Sequence, residues 1–179
     1  MRIVGTKVYL RAIEQADNSI LLELINDPET EGMVGGSSWP VSVEEQEMWQ
    51  KNQVGRKDIL RSMIVEKDTD ETVGTVILSD VDQKNGAAQV HIKVLGRHKG
   101  KGLGSDAINA IVRFALFELR LNCIYAEILS YNHVSVGLFE KCGFRKEGIL
   151  RERVFKNGHY NDVFLYSILR KDVDKTSAS

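Results

Sequence analysis

The sequence predicts an α/β (α+β) fold: a mixed, mostly antiparallel sheet of six to seven strands, flanked by about four helices. Three observations carry this. Segments whose apolar residues alternate with period two outnumber those with the helical period. Two Asn-Gly pairs, Asn85-Gly86 and Asn157-Gly158, stand between alternating segments as hairpin turns. A turn rich in Gly and Lys, from Gly96 to Gly104, leads into one strongly apolar helix placed between two strands.

The elements follow in order. Val8, Leu10 and Ala12 alternate with Lys7, Tyr9 and Arg11, the pattern of a half-buried strand. From Asp17 the period changes, and Ile20, Leu21, Leu24 and Ile25 recur at helical spacing until Asp27-Pro28 stops the run. Gly32 to Pro40 reads as a loop. Ser42-Val43-Glu44-Glu45 is a capping box that opens a helix carrying Met48 and Trp49. Strands are expected at Ser62–Glu66 and Val73–Ser79 around the polar turn Lys67 to Glu71. Asn85-Gly86 reads as a type I′ turn into the strand Gln89–Val94. Ala107, Ile108, Ile111, Phe114 and Ala115 form the buried stripe of the central helix. A strand at Asn122–Leu129 and a short helix at Val134–Cys142 follow, with Gly143 at its C′ position. Phe144–Phe155 and Tyr160–Leu169 are paired strands around Asn157-Gly158.

Composition narrows the function classes. The chain has 179 residues, 42% apolar and 27% charged. That fits one domain, here 1–170, followed by a polar tail, 171–179, expected to fray. With 24 Lys and Arg against 25 Asp and Glu, no global basic field exists to hold nucleic acid or an anionic membrane. The most apolar stretch, Ala107 to Leu129, is interrupted by Arg113, Glu118, Arg120 and Glu127, so no membrane span is expected. The N-terminus has charges where a signal peptide needs its apolar block. Cys123 and Cys142 lack metal-ligand spacing, which argues against a metal site and fits reduced thiols in a cytoplasmic protein.

The glycine-rich turn has the makings of an anion cradle. Glycine lets backbone N–H groups approach a phosphate closely, and the helix N-terminus adds about half a positive charge. A flexible basic loop is the plainer alternative. A Walker A loop fails, because Lys101 stands where its second glycine belongs. A dinucleotide pattern occurs as Gly102-Leu103-Gly104-Ser105-Asp106-Ala107, but the preceding strand ends too early and no βαβ unit surrounds it.

Several ordered motifs resemble the GNAT acetyltransferase superfamily, above all its ribosomal-protein and spermidine acetyltransferase branch. Lys99-Gly100-Lys101-Gly102-Leu103-Gly104 is similar to the branch's Q/R-x-x-G-x-G/A, with Lys in the first place. Asn132-His133-Val134-Ser135 and Phe139-Glu140-Lys141-Cys142-Gly143-Phe144 are similar to its N-x-x-S/A and Y-x-K-x-G-F segments. Glu147-Gly148-Ile149-Leu150-Arg151 and Asn157-Gly158-His159-Tyr160-Asn161-Asp162 follow E-G-x-L-R and N-G-x-Y-x-D. The resemblance implies a sheet whose central strands, Gln89–Val94 and Asn122–Leu129, splay apart to admit acetyl-CoA as co-substrate. It implies backbone contacts from Ile92, Lys93 and Val94, and a pyrophosphate held by the amides of Gly100, Lys101, Gly102, Leu103 and Gly104. Arg97, Lys99 and Lys101 add charge, and Asn132 and Ser135 contact the cofactor; Asn132 is also a natural N-cap.

The reaction implied is acetyl transfer to a primary amine: a small polyamine, an amino sugar or a protein N-terminus. An alkylammonium near pKa 10.4 is free amine in only about one molecule per thousand at neutral pH, a cost of roughly 4 kcal/mol. A base is therefore needed. The branch's glutamate on the splayed strand is replaced here by Gln89, which cannot accept a proton. His91, on the same face, has a suitable intrinsic pKa; a packing or surface role is the plainer alternative. The tyrosine that protonates the leaving thiolate is replaced by Phe139. These two departures keep open an alternative, a non-catalytic acyl-CoA-binding or regulatory module. Acceptor recognition is expected from Glu29, Glu31, Trp39 and Tyr160, each of which also has a reading as surface charge or packing. A homodimer through the exposed sheet would be unsurprising.

Overall fold

The computed structural model describes residues 1–36, 39–53, 55–56 and 58–174. Its strands are β1 (Ile3–Val4), β2 (Val8–Arg11), β3 (Leu60–Glu66), β4 (Thr72–Asp82), β5 (Ala87–Val94), β6 (Cys123–Leu129), β7 (Arg145–Lys156) and β8 (His159–Leu169). They form one sheet in the order β1-β2-β3-β4-β5-β6-β8-β7, antiparallel at every step except β5–β6. The eighth strand is the two-residue β1, too short to carry a period in sequence. The helices are α1 (Asn18–Asn26), α2 (Pro28–Gly32), α3 (Val43–Lys51), α4 (Leu103–Phe117), α5 (His133–Lys141) and α6 (Arg170–Asp174).

Three local expectations change. Asp27-Pro28 ends α1 but also starts α2: the Asp27 side chain accepts from the Thr30 amide at 2.9 Å, and Pro28 occupies the first helical turn. Gly32 thus closes a helix instead of opening a loop. At Asn85-Gly86 only Gly86 has positive φ, so the turn is not type I′. The Asp82 side chain takes the Asn85 amide, and the Gly86 amide donates to the Asp82 carbonyl, which makes a longer turn. Arg170–Asp174, expected to fray, form a short helix that docks Asp172 on the Leu169 amide; 175–179 lie outside the described residues. The second Asn-Gly turn keeps its expected form, with Asn157 at φ +53° and Gly158 at +83°.

The core lies between α4 and one face of the sheet. Ala107, Ile108, Ile111 and Ala115 of α4 are buried against Leu10, Ile64, Val76, Val90 and Ile124. Each such Ile or Leu contributes about 2 kcal/mol relative to exposure. The N-terminus of α4 is fixed by Asp106, whose carboxylate accepts the amides of Thr6, Lys7 and Val8 at 3.0, 2.7 and 2.9 Å. The capping box of α3 forms as the sequence predicts, with Ser42 and Glu45 exchanging side-chain to backbone bonds. The opposite face of the sheet is covered by α1 and α3.

Candidate active site

The site begins with a break in the sheet. β5 and β6 pair only from Ala87 to Gln89 against Cys123 to Tyr125. Beyond that the strands diverge, so β5 from His91 onward has no strand on that side. The Leu95 amide donates to the Val73 carbonyl on β4. Because main-chain groups alternate sides along a strand, Lys93 directs its amide and carbonyl toward β4 as well, and Ile92 and Val94 direct theirs into the gap. The Lys93 carbonyl accordingly lies beside Gly74, where a Cβ would come within 2.1 Å of it. Two of the three backbone contacts expected from the sequence thus face the wedge. Lys93 instead presents its side chain to the far face.

One mouth of the wedge is the glycine turn. Gly100 and Gly102 adopt φ of +82° and +81°, and Gly102 is the N-cap of α4. The first amides of this fifteen-residue helix point out of its end, where an anion is favoured. A Cβ added at Gly104 would lie 3.7 Å from the Ile92 and Val94 side chains and 3.8 Å from Leu138, so this end of α4 packs closely on β5 and α5. A cavity of about 600 Å³ opens here, lined by Ile92, Val94, Lys99, Gly100, Gly102, Leu103, Gly104, Asn132 and Ser135, with Glu29 and Lys93 at its margin. Most of the expected cofactor residues are therefore neighbours in space. Arg97 is turned outward onto Glu23, at 2.5 Å, and the Lys101 carbonyl accepts from the Lys7 ammonium at 3.0 Å.

Asn132 closes the wedge from the other side. Its Oδ1 accepts the Ser135 amide at 3.0 Å as the cap of α5, and its Nδ2 donates to the Met33 carbonyl at 2.9 Å. Tyr131 donates to the Gly32 carbonyl at 2.6 Å. These two bonds join the start of α5 to the end of α2.

A second cavity, about 510 Å³, continues from the first: both are lined by Met33, Val34, Ile92, Lys93, Asn132 and Ser135. Its floor is the far face of the sheet, where Arg61, Ile77 and His91 are cross-strand neighbours. The His91 ring opens into this cleft, yet the surrounding walls still hold its pKa below 6.5. Burial is the main cause, the Lys93 and Arg61 charges press the same way, and Asp80 opposes them. The ring is thus neutral at neutral pH and able to accept a proton. Its Nε2 lies 2.8 Å from Ser79 Oγ, which is also 3.1 Å from Asp80 Oδ2. Phe139 is buried in the same cavity, edge-on to Phe144 with ring centroids 4.9 Å apart, and Ser135 lies one turn before it on α5. Neither cysteine is a thiolate here: burial pushes Cys142 up to about 11 and raises Cys123.

The expected acceptor residues scatter. Glu29 pairs with Lys99 at 3.1 Å beside the glycine turn. Glu31 is committed to an ion pair with the buried Lys156 of β7. Trp39 is 79% exposed over a depression near α1 and α3 that shares Ile77 and Lys93 with the second cavity. Tyr160 is 65% exposed and packs on Phe155 at the final hairpin. The hairpin motif itself is architectural: Asp162 accepts the amide of Glu152, which sits at φ +50° in a bulge of β7. Sequence reasoning did not single out Arg61, Ser79, Tyr131 or Lys141 as site residues. Lys141 stands in the Phe139 to Phe144 motif without a role being read from it, and no local motif marks the other three, which join the site only when β3, β4 and the start of α5 are assembled.

Comparison with known proteins agrees with this architecture. A family model described as "Acetyltransferase (GNAT) domain" matches residues 7–145. The chain is 31% identical to an uncharacterized N-acetyltransferase, YokL, of Bacillus subtilis, over 95% of this chain and 94% of that protein. It is 28% identical to the spermidine N(1)-acetyltransferase of Vibrio cholerae, over 93% of this chain and 95% of that protein. The crystal structure of spermidine N-acetyltransferase from Vibrio cholerae in complex with CoA and spermine superposes with a TM-score of 0.87 at 27% identity, covering 93% and 97% of the two chains. A splayed sheet, a glycine cradle at a helix N-terminus and these matches give one conclusion: the chain belongs to the GNAT family and is an N-acetyltransferase.

Proposed function

We propose that the protein transfers acetyl from acetyl-CoA directly to a primary amine bound in the second cavity. The observation that carries this reading is one continuous path. It starts at the glycine cradle, follows the open backbone of Ile92 and Val94 through the wedge, and ends beside the His91 imidazole. Acetyl-CoA supplies the thioester carbon. The amides at the start of α4 hold its pyrophosphate, Lys99 and Lys141 line the same mouth, and the free edge of β5 pairs with its pantetheine arm as an added strand.

His91 removes the proton that the attacking amine must lose, directly or through the Ser79 hydroxyl. The new N–C bond forms as the C–S bond breaks, and the sulfur leaves with the bonding pair. With thiols near pKa 8.5, departure as thiolate at neutral pH costs only about 2 kcal/mol, so Phe139 is tolerable where a proton donor is absent. Ser135 is the hydroxyl placed nearest that role on α5. The raised thiol pKa values of Cys123 and Cys142 support direct transfer over an acyl-cysteine route.

The test is thermal stability with acetyl-CoA, with NAD and ATP as controls, followed by thiol release against a panel of amines. At a hundredfold excess over Kd, acetyl-CoA should add about 2.7 kcal/mol, a rise of roughly 5–10 °C. Stabilisation without thiol release from any amine would support the non-catalytic alternative. No stabilisation would remove the cradle.

A further inference from the structure

We infer that the acceptor is a primary amine that also carries an anionic group, carboxylate or phosphate, and that Arg61 and Lys93 hold that anion beside His91. This inference rests on the acetyl-transfer reading above. It stands on the charge lining of the acceptor cavity.

Three acids around that cavity are spent, and two are not. Glu31 is paired with Lys156, Glu29 with Lys99, and Asp58 with Arg56. Glu127 lines the cleft, and Asp80 lies at the edge of His91. The cations are in the opposite state. Arg61 and Lys93 both line the cavity, and neither forms an ion pair or a side-chain hydrogen bond with any described residue. Arg61 rests its guanidinium 5.3 Å from the Trp49 ring centroid, a contact that orients the fork without neutralising it.

They also converge. Arg61 is level with His91 across β4, and Lys93 follows two residues along the same face of β5. Both charges act on the His91 ring, and both residues line the cavity that it floors. Burial lowers the pKa of each, so each charge is held at a cost that an anionic ligand would relieve. A planar guanidinium beside an ammonium suits a carboxylate or phosphate. Glu127, across the cleft, is left for the ammonium form of the same acceptor. A polycation would meet the Arg61 and Lys93 charges on entering, which Asp58 and Glu31 offset only from within their own ion pairs with Arg56 and Lys156.

The experiment uses matched acceptors that differ in the anion: glucosamine against glucosamine 6-phosphate, and β-alaninamide against β-alanine, with spermidine as the polycation. Rates are compared at equal free-amine concentration. The expected result is at least a tenfold higher kcat/KM for the anionic twin in one arm, and the arm that responds identifies phosphate or carboxylate. Arg61→Met and Lys93→Met should each pull that ratio toward one, with melting curves to confirm folding. Independently of any variant, glucose 6-phosphate or propionate should raise the acceptor KM without changing kcat. Neutral twins that match or exceed the anionic ones in both arms, a preference for spermidine, or no competition from either anion overturns the inference and leaves acetyl transfer standing. Acetyl-CoA stabilisation without turnover of any amine removes the acetyl-transfer reading, and this inference falls with it.

Discussion

His91 Nε2 lies 2.8 Å from Ser79 Oγ, on adjacent strands, at the floor of the cavity that continues from the glycine cradle. The hydroxyl has one proton and two takers, Asp80 and the imidazole, so it couples a carboxylate to the ring. Replacing His91 with Ala should lower kcat by about 10²- to 10⁴-fold, the usual worth of a positioned base. The Km for acetyl-CoA should change little.

The pH profile carries a sign. Because His91 titrates below 6.5, its neutral, proton-accepting form dominates throughout the neutral range and is lost as pH falls through its folded pKa. The acid limb of kcat should therefore lie below pH 6.5 and disappear in His91→Ala. An acid limb above 6.5, or one unchanged by the substitution, would assign the base elsewhere.

Asn132 offers a separable pair of roles. Asn132→Ala removes both the α5 cap and the bond to Met33, and should cost about 1–2 kcal/mol. Asn132→Asp keeps an oxygen for the Ser135 amide but cannot donate to the Met33 carbonyl. It should keep the α5 cap and lose about 1–2 kcal/mol, because a carboxylate oxygen then faces the Met33 carbonyl. It should also bind acetyl-CoA several-fold more weakly, as read by titration calorimetry, because the α2–α5 closure over the wedge is lost.

Gly74 lies directly against the Lys93 carbonyl. A Cβ there would sit 2.1 Å from that oxygen and 2.9 Å from the Val94 Cα, so the backbone of β5 must move. Gly74→Ala should lower stability by roughly 3 kcal/mol, or roughly 6–12 °C in Tm. It should also weaken acetyl-CoA binding, since Ile92 and Val94 shift with the strand.

Asp106 ties α4 to the β1–β2 turn through three amides. Asp106→Asn turns an amide group toward backbone donors, and a loss of about 2 kcal/mol in denaturant unfolding is expected. A change below about 0.5 kcal/mol would show that the turn is held by its own backbone.

Much of the architecture was legible because it is local. The capping box at Ser42, the Asn157-Gly158 turn and the apolar stripe of α4 are written in neighbouring residues, and all three form. The Asn85-Gly86 pair shows the limit. At Asn85 the Asp82 side chain competes for the turn amides, and a dipeptide cannot reveal which geometry that competition selects. The α1–α2 junction failed for a similar reason, since Pro28 ends one helix and suits the first turn of the next.

By itself the sequence determined the sheet of hairpins, the glycine turn that opens α4, the family, and the cap at Asn132. Those follow from backbone preferences and short motifs, which act over a few residues. Only the tertiary structure decided which side of β5 faces the gap, that Lys93 turns its backbone toward Gly74, and that Glu31 is consumed by Lys156. It alone set Arg61 level with His91 across an intervening strand. Strand register and splay are properties of partners distant in sequence, and the electrostatics of the cleft around His91 depend on them.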